Sequence, residues 1–409
     1  MPVAEEARVT PIELFFDLVF VFSLTQVTAL MADDPITAHG ILRGLLVLAL
    51  LWWSWVGYAW LANVVQAEEG LGRVAVFGAM AAMFVLAVTV PESFNDLAGG
   101  LDGPVVVAFA YLAVRVLHLV MFFLASGDDP GLRRQVWRFT PSVIGSTAVL
   151  LVASQLDGWA QTLTWVAALI VDYFGTILGG ASGWRLRSAS HFAERHGLIL
   201  IVALGESIVA IGVGVADVPI SWPIIVASVL GLIVAGCLWW AYFDVVSIVA
   251  ERLLRRAQGE ERARLARDAY SYLHMPMIAG IVLVALGMKK VLEYVGGAGH
   301  HELSDPLPLL PLGALYGGTS LYLLAHSAFK YRTWHKVTGR RLVVAASLGA
   351  LVPVAGEVPA LVALGLLAAV MAVMIATESM QYSAVREQIR HEDDPHEDDP
   401  MEAVEEHTD

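Results

Sequence analysis

Apolar runs of about twenty residues recur along almost the whole chain, and few folds can accommodate that pattern. They fall near 11–31, 40–63, 73–91, 104–125, 139–156, 159–180, 197–216, 221–247, 271–292, 308–329, 341–355 and 358–380. Each is close to the ~20 residues an α-helix needs to cross the hydrocarbon core of a bilayer. Clusters of Gly, Pro and Asp separate them, as in NDLAGGLDG (95–103) and SGDDPG (126–131), where helices stop. No strand periodicity interrupts the series. The expected fold is an all-α membrane protein of about twelve transmembrane helices.

Charge supports this reading. Of 409 residues 57% are hydrophobic and only 16% charged, against about 25% charged in soluble domains. The net charge of −14 comes mostly from the end of the chain, where Arg386–Asp409 holds eleven acidic and two basic residues. That stretch, 381–409, is expected to be a disordered acidic cytoplasmic tail. Of the 25 Lys and Arg, 21 fall in alternate connections that would share one face of the membrane. The positive-inside rule then sets both termini in the cytoplasm, with an even number of spans. Arg185, Arg187 and Arg195 are counted there within a cytoplasmic linker, 181–196. Cys237 stands alone, so no internal disulfide can form.

A duplication is expected as well. LWWSWVGYAW (51–60) resembles LWWAYFDVV (238–246), and aligning them brings Asp17 within two positions of Glu206. YLAVRVLHLVMFF (111–123) likewise echoes LYLLAHSAFKY (321–331), pairing His118 with His326. The implied plan is two parallel six-helix repeats, 11–180 and 197–380, the second carrying a cytoplasmic loop at 248–270 whose Arg-rich part, 251–267, is expected to be helical, with 1–10 as a cytoplasmic N-terminus. Such repeats are common in transporters, with the site where the halves meet.

Ionisable residues inside the runs are the candidate site: Glu13, Asp17, Arg115, His118, Asp172 and Glu206. A carboxylate at mid-membrane costs roughly 2.5–3.5 kcal/mol on insertion scales, so such groups face a partner or a polar path. Glu13 and Asp17 are one turn apart on one helix face, as are Arg115 and His118. One reading is a cation or proton path with His118 as relay. The other is structural, with Arg115 paired to Asp17, Glu13 or Asp172 to lock helices together. Glycines 175, 179, 180, 183, 205, 212 and 214 are expected to allow close helix packing or a local break, which beside Glu206 would free carbonyls for an ion, and His274 to be a cap or interfacial contact. Neither cofactor nor metal site is expected, nor a nucleic-acid partner. The expected partners are the lipid bilayer, a small cation or proton, and a second copy of the chain in a homodimer.

PIELFFDLVFVFSLTQVT (11–28), ERHGLILIVALGESIVAIG (194–212) and YSYLHMPMIAGIV (270–282) resemble the bacterial low temperature requirement A family of multi-pass membrane proteins. The resemblance implies a membrane architecture and marks Phe15, Phe16, Arg195, His196 and Gly205 as motif positions, together with Glu13, Asp17 and Glu206. It implies no substrate. The pattern Glu13, Phe15, Asp17, Val19, Phe20 is also similar to the F-S-D motif of two-repeat potassium and proton channels, with Phe16 here where that family has Ser. That likeness implies a pore lined by the first and seventh helices. A transporter or channel for a small cation or proton is therefore the expected function; a membrane enzyme, or a sensor or scaffold in cold or stress adaptation, is the alternative.

Overall fold

A computed structural model describes residues 8–33, 35–64, 70–127, 129–179, 184–216, 218–297, 301–336 and 339–381. The acidic tail beyond Gln381, the first seven residues, and Gly180 and Gly183 lie outside them. Among the described residues the structure is helical, with one isolated bridge between Pro306 and Pro359.

The helices in order are α1 (Pro11–Met31), α2 (Ala38–Ala62), α3 (Gly70–Val88), α4 (Gly103–Ser126), α5 (Pro130–Ala153), α6 (Gly158–Gly179) and α7 (Ala189–Gly214). They continue as α8 (Trp222–Phe243), α9 (Val246–Arg256), α10 (Gly259–Leu265), a π-helical stretch Ala266–Tyr272, α11 (His274–Val295), α12 (Leu309–Trp334), α13 (Gly339–Ala355) and α14 (Ala360–Gln381). Polar residues start several of them. The backbone N–H of Thr10 donates to Glu13 Oε2 at 2.8 Å at the head of α1. Thr37 Oγ1 accepts from the N–H of Gly40, and Asp129 Oδ1 from those of Gly131 and Leu132.

Eight helical stretches among the described residues are long and apolar enough to cross a membrane. Fewer meet that measure than the twelve expected, although each expected run does contain a helix. α13 has 17 residues, and the apolar part of α3 is Gly72–Val88. α12 buries Thr319, His326, Ser327 and Thr333 inside the protein, so it need not be apolar all round.

The chain forms two compact units. One holds Met1–Glu206 and Ala257–Met275, the other Ser207–Arg256 and Pro276–Asp409. This is a different partition from the expected repeats, because the compact division falls inside α7 and α10 belongs with the first unit.

Contacts within each unit fix helix directions. In the first, Phe16 meets Tyr58 and Phe20 meets Trp55, so α1 and α2 are antiparallel. Phe15 meets Phe77 and Phe22 meets Phe84, so α1 and α3 run the same way. His39 bonds Thr162 while Tyr173 donates to the carbonyl of Ala49, so α2 and α6 are parallel too. In the second unit Gly280 lies against Gly318 and Gly287 against Leu315, which makes α11 and α12 antiparallel. A Cβ on Gly280 would lie 2.6 Å from the Gly318 carbonyl oxygen, so this seam requires glycine. α13 runs back along α12, with Ser320 bonding the Ala345 carbonyl and His326 meeting Arg341. Every pair has the relation that successive long helices produce when they cross in alternate directions.

Two local expectations need correction, and a third gains detail. α7 begins at Ala189, inside the expected linker, and Arg195 is buried within it. The expected helical stretch 251–267 is helical in two short pieces followed by a π turn, with the break before Gly259, whose φ of +55° only glycine adopts freely. His274 is fully buried rather than interfacial: its Nδ1 meets the Ala269 carbonyl at 3.2 Å, and its ring stacks on Tyr270.

Candidate functional site

The motif positions converge where α1 meets α7. Glu13 and Asp17 share a face of α1 and are 6% and 3% exposed, too dry for unpaired carboxylates. Arg195, one turn past His191 on α7, reaches both. Its two terminal nitrogens lie 3.1 Å from Glu13 Oε1 and 2.9 Å from Asp17 Oδ1. Trp55 of α2 donates its indole N–H to the same Asp17 oxygen at 2.8 Å, and its ring lies 5.5 Å from the guanidinium carbon. Asp17 Oδ2 is buried with no hydrogen-bond partner among the described residues.

His191 completes the cluster, its Nε2 lying 2.9 Å from Glu13 Oε1. Asn63 fixes the tautomer. Its Oδ1 accepts from the backbone N–H groups of Arg187 and Ser188, so its Nδ2 faces the Ser188 carbonyl and, at 3.4 Å, His191 Nδ1. This arrangement presents Nδ1 as the acceptor and leaves Nε2 to donate to Glu13. Glu13 and Asp17 thus face one permanent cation, Arg195, with His191 the neighbouring group that can carry a further proton. A cavity of about 20 Å³ touches Glu13, Tyr58 and Arg195, room for about one water.

Farther along the same pair of helices, Thr25 Oγ1 donates to Glu206 Oε2 at 2.6 Å. The numbering rises in step on both helices, from Glu13 beside His191 to Thr25 beside Glu206, so α1 and α7 are parallel neighbours. Between these levels lies His196. Its Nδ1 donates to the Phe192 carbonyl at 2.8 Å, and Trp52, Trp55, Tyr270 and His274 surround its ring.

The remaining candidates form a separate group. Arg115 of α4 pairs with Asp172 of α6 at 3.0 Å, both 1% exposed, and the Tyr111 hydroxyl donates to the other Asp172 oxygen. His118 Nε2 meets the Gly57 carbonyl at 3.0 Å. Of the partners considered for Arg115 from sequence, Asp172 is the one it bonds. Among the motif positions, Phe16 is buried against Tyr58, while Phe15 is half exposed and packs on Phe77. A Cβ at Gly205 would meet nothing within 4 Å, so close packing does not explain that glycine.

Sequence reading assigned no role to His191, Trp55 or Asn63. It also missed a buried group in the second unit, where Arg341 of α13 pairs with Glu378 of α14 at 2.7 Å and lies 2.7 Å from His326 Nδ1. The signal available for His191 was its spacing, one helical turn before Arg195 in HFAERH (191–196).

Comparison with known proteins adds a family. The model described as bacterial low temperature requirement A protein matches residues 8–376. An uncharacterised protein of Rhizobium meliloti is 27% identical over 292 residues, 67% of each chain. Glycerol uptake facilitator protein 3 of Lactiplantibacillus plantarum is 28% identical over 177 residues, 41% of this chain and 68% of that protein. No solved structure matches.

Proposed function

The chain belongs to the bacterial low temperature requirement A family, and on that premise we propose that it moves protons or a small cation along the seam between α1 and α7. One observation carries this reading: Glu13 and Asp17 face a single permanent cation, Arg195, with the titratable His191 on Glu13 and Asp17 Oδ2 left without a partner. Dry surroundings do not tolerate a bare excess charge, so the cluster takes up one proton or one small cation. Arg195 is the internal counter-charge that makes uptake of one, rather than two, the balanced state. Glu206, hydrogen-bonded to Thr25, is the next station along the seam.

Two parallel six-helix repeats in a bacterial inner membrane, with both termini cytoplasmic, complete the proposal. Parallel contact between α1 and α7 supports it, because two helices run the same way only after an even number of crossings, and α1 to α6 supply six. The paired histidines agree: His118 packs 5.6 Å from the Tyr58 ring of α2, and His326 lies 6.2 Å from the Tyr242 ring of α8, the helix matched to α2. Partial likeness to a glycerol uptake facilitator adds weight to transport without naming a solute.

The test is flux into liposomes holding purified protein and a pH- or potassium-sensitive dye. Asp17→Asn and Glu206→Gln are each expected to abolish flux while the protein remains monodisperse. Undiminished flux in both would reject the assignment.

A further inference from the structure

A second cavity lies in the first unit, built from residues that the α1–α7 seam does not use. It is a cavity of about 50 Å³, bordered by Trp53, Trp60, Trp184 and Phe139, with Arg115 and His118 among its walls. A water needs about 10–15 Å³ by this measure, so the space suits a group of roughly three to five non-hydrogen atoms.

Three features define what fits. The first is charge. Arg115 is cancelled by Asp172 at 3.0 Å, and Arg267, which also borders the cavity, by Asp268 at 2.8 Å. No net positive charge remains to hold an anion. The second is hydrogen bonding. His118 Nε2 meets the Gly57 carbonyl, so it bears the ring proton and Nδ1 is a bare acceptor without a partner. Arg115 Nε is a donor, also buried and without a partner. Trp53 Nε1, in the same wall, is a second buried donor without a partner. One acceptor and two donors match a hydroxyl, whose proton is given once and whose oxygen accepts twice. The third is the aromatic wall, which favours carbon over further water.

We propose that this cavity is a binding site for a small neutral alcohol or diol, whose hydroxyl donates to His118 Nδ1 and accepts from Arg115 Nε. The site is independent of the charge excess at Asp17.

Saturation-transfer NMR on the purified full-length protein tests it, with 1,2-propanediol and acetate as probes. The diol is expected to receive saturation from the wild-type protein and acetate to receive none. His118→Phe, which keeps a ring but removes the acceptor, is expected to lose at least three-quarters of the diol signal. Ala263→Leu fills the cavity from α10 and is expected to do the same, which keeps the test valid should the histidine variant not fold. An undiminished diol signal in either folded variant, no diol signal in the wild type, or stronger transfer to acetate would overturn the proposal.

Discussion

Two buried arginine–carboxylate groups lie in the same compact unit, and their arithmetic differs. Arg115 and Asp172 are one against one, with Tyr111 satisfying the second carboxylate oxygen. Arg195 faces two acids, and Asp17 keeps an oxygen without a partner. Burial is almost the same in both. What separates them is the charge left over, so the balanced pair is read as a clamp between α4 and α6 and the unbalanced one as a place where an ion or proton comes and goes.

Substitutions can break this contrast. The largest effect is expected for Arg195→Gln, which strands two carboxylates. Removing one partner of a buried pair costs about 3–5 kcal/mol, and here the protein should lose its thermal transition in detergent altogether. Arg115→Gln is expected to cost about 3–5 kcal/mol alone, and adding Asp172→Asn should recover most of that, since a neutral pair strands nothing. Recovery should fail for Arg195→Gln with Asp17→Asn, because Glu13 still carries its charge. Thr25→Val should cost about 1.5 kcal/mol by removing a hydrogen bond to a carboxylate, read as a lowered melting temperature. The smallest effect on stability is expected for Asp17→Asn, within about 1 kcal/mol, because an amide oxygen can still accept from Trp55 and the remaining charges balance.

The helices were readable because a bilayer demands long apolar runs, and the acids of α1 because four-residue spacing puts Glu13 and Asp17 on one face. Their partners were not readable. Arg195 lies 178 residues from Asp17, and nothing local says which cation closes so long a loop. Counting charges by side put Arg195 in a cytoplasmic linker, since an arginine normally ends an apolar run. Glu13 and Asp17 overturn that by neutralising it, so α7 starts at Ala189 and carries the charge inside. Arg341 is a parallel case, an arginine near the start of α13 paired with Glu378 near the end of α14. Asn63 lay beyond sequence reasoning, because its role is to orient a histidine 128 residues away.

Infrared difference spectroscopy of the purified protein, titrated by pH, tests the charge excess most directly. The account predicts one carboxylic-acid carbonyl band that appears as the cluster takes up its proton, vanishes in Asp17→Asn and persists in Arg115→Gln/Asp172→Asn. A band that survives Asp17→Asn, or that disappears with Asp172 instead, would contradict it.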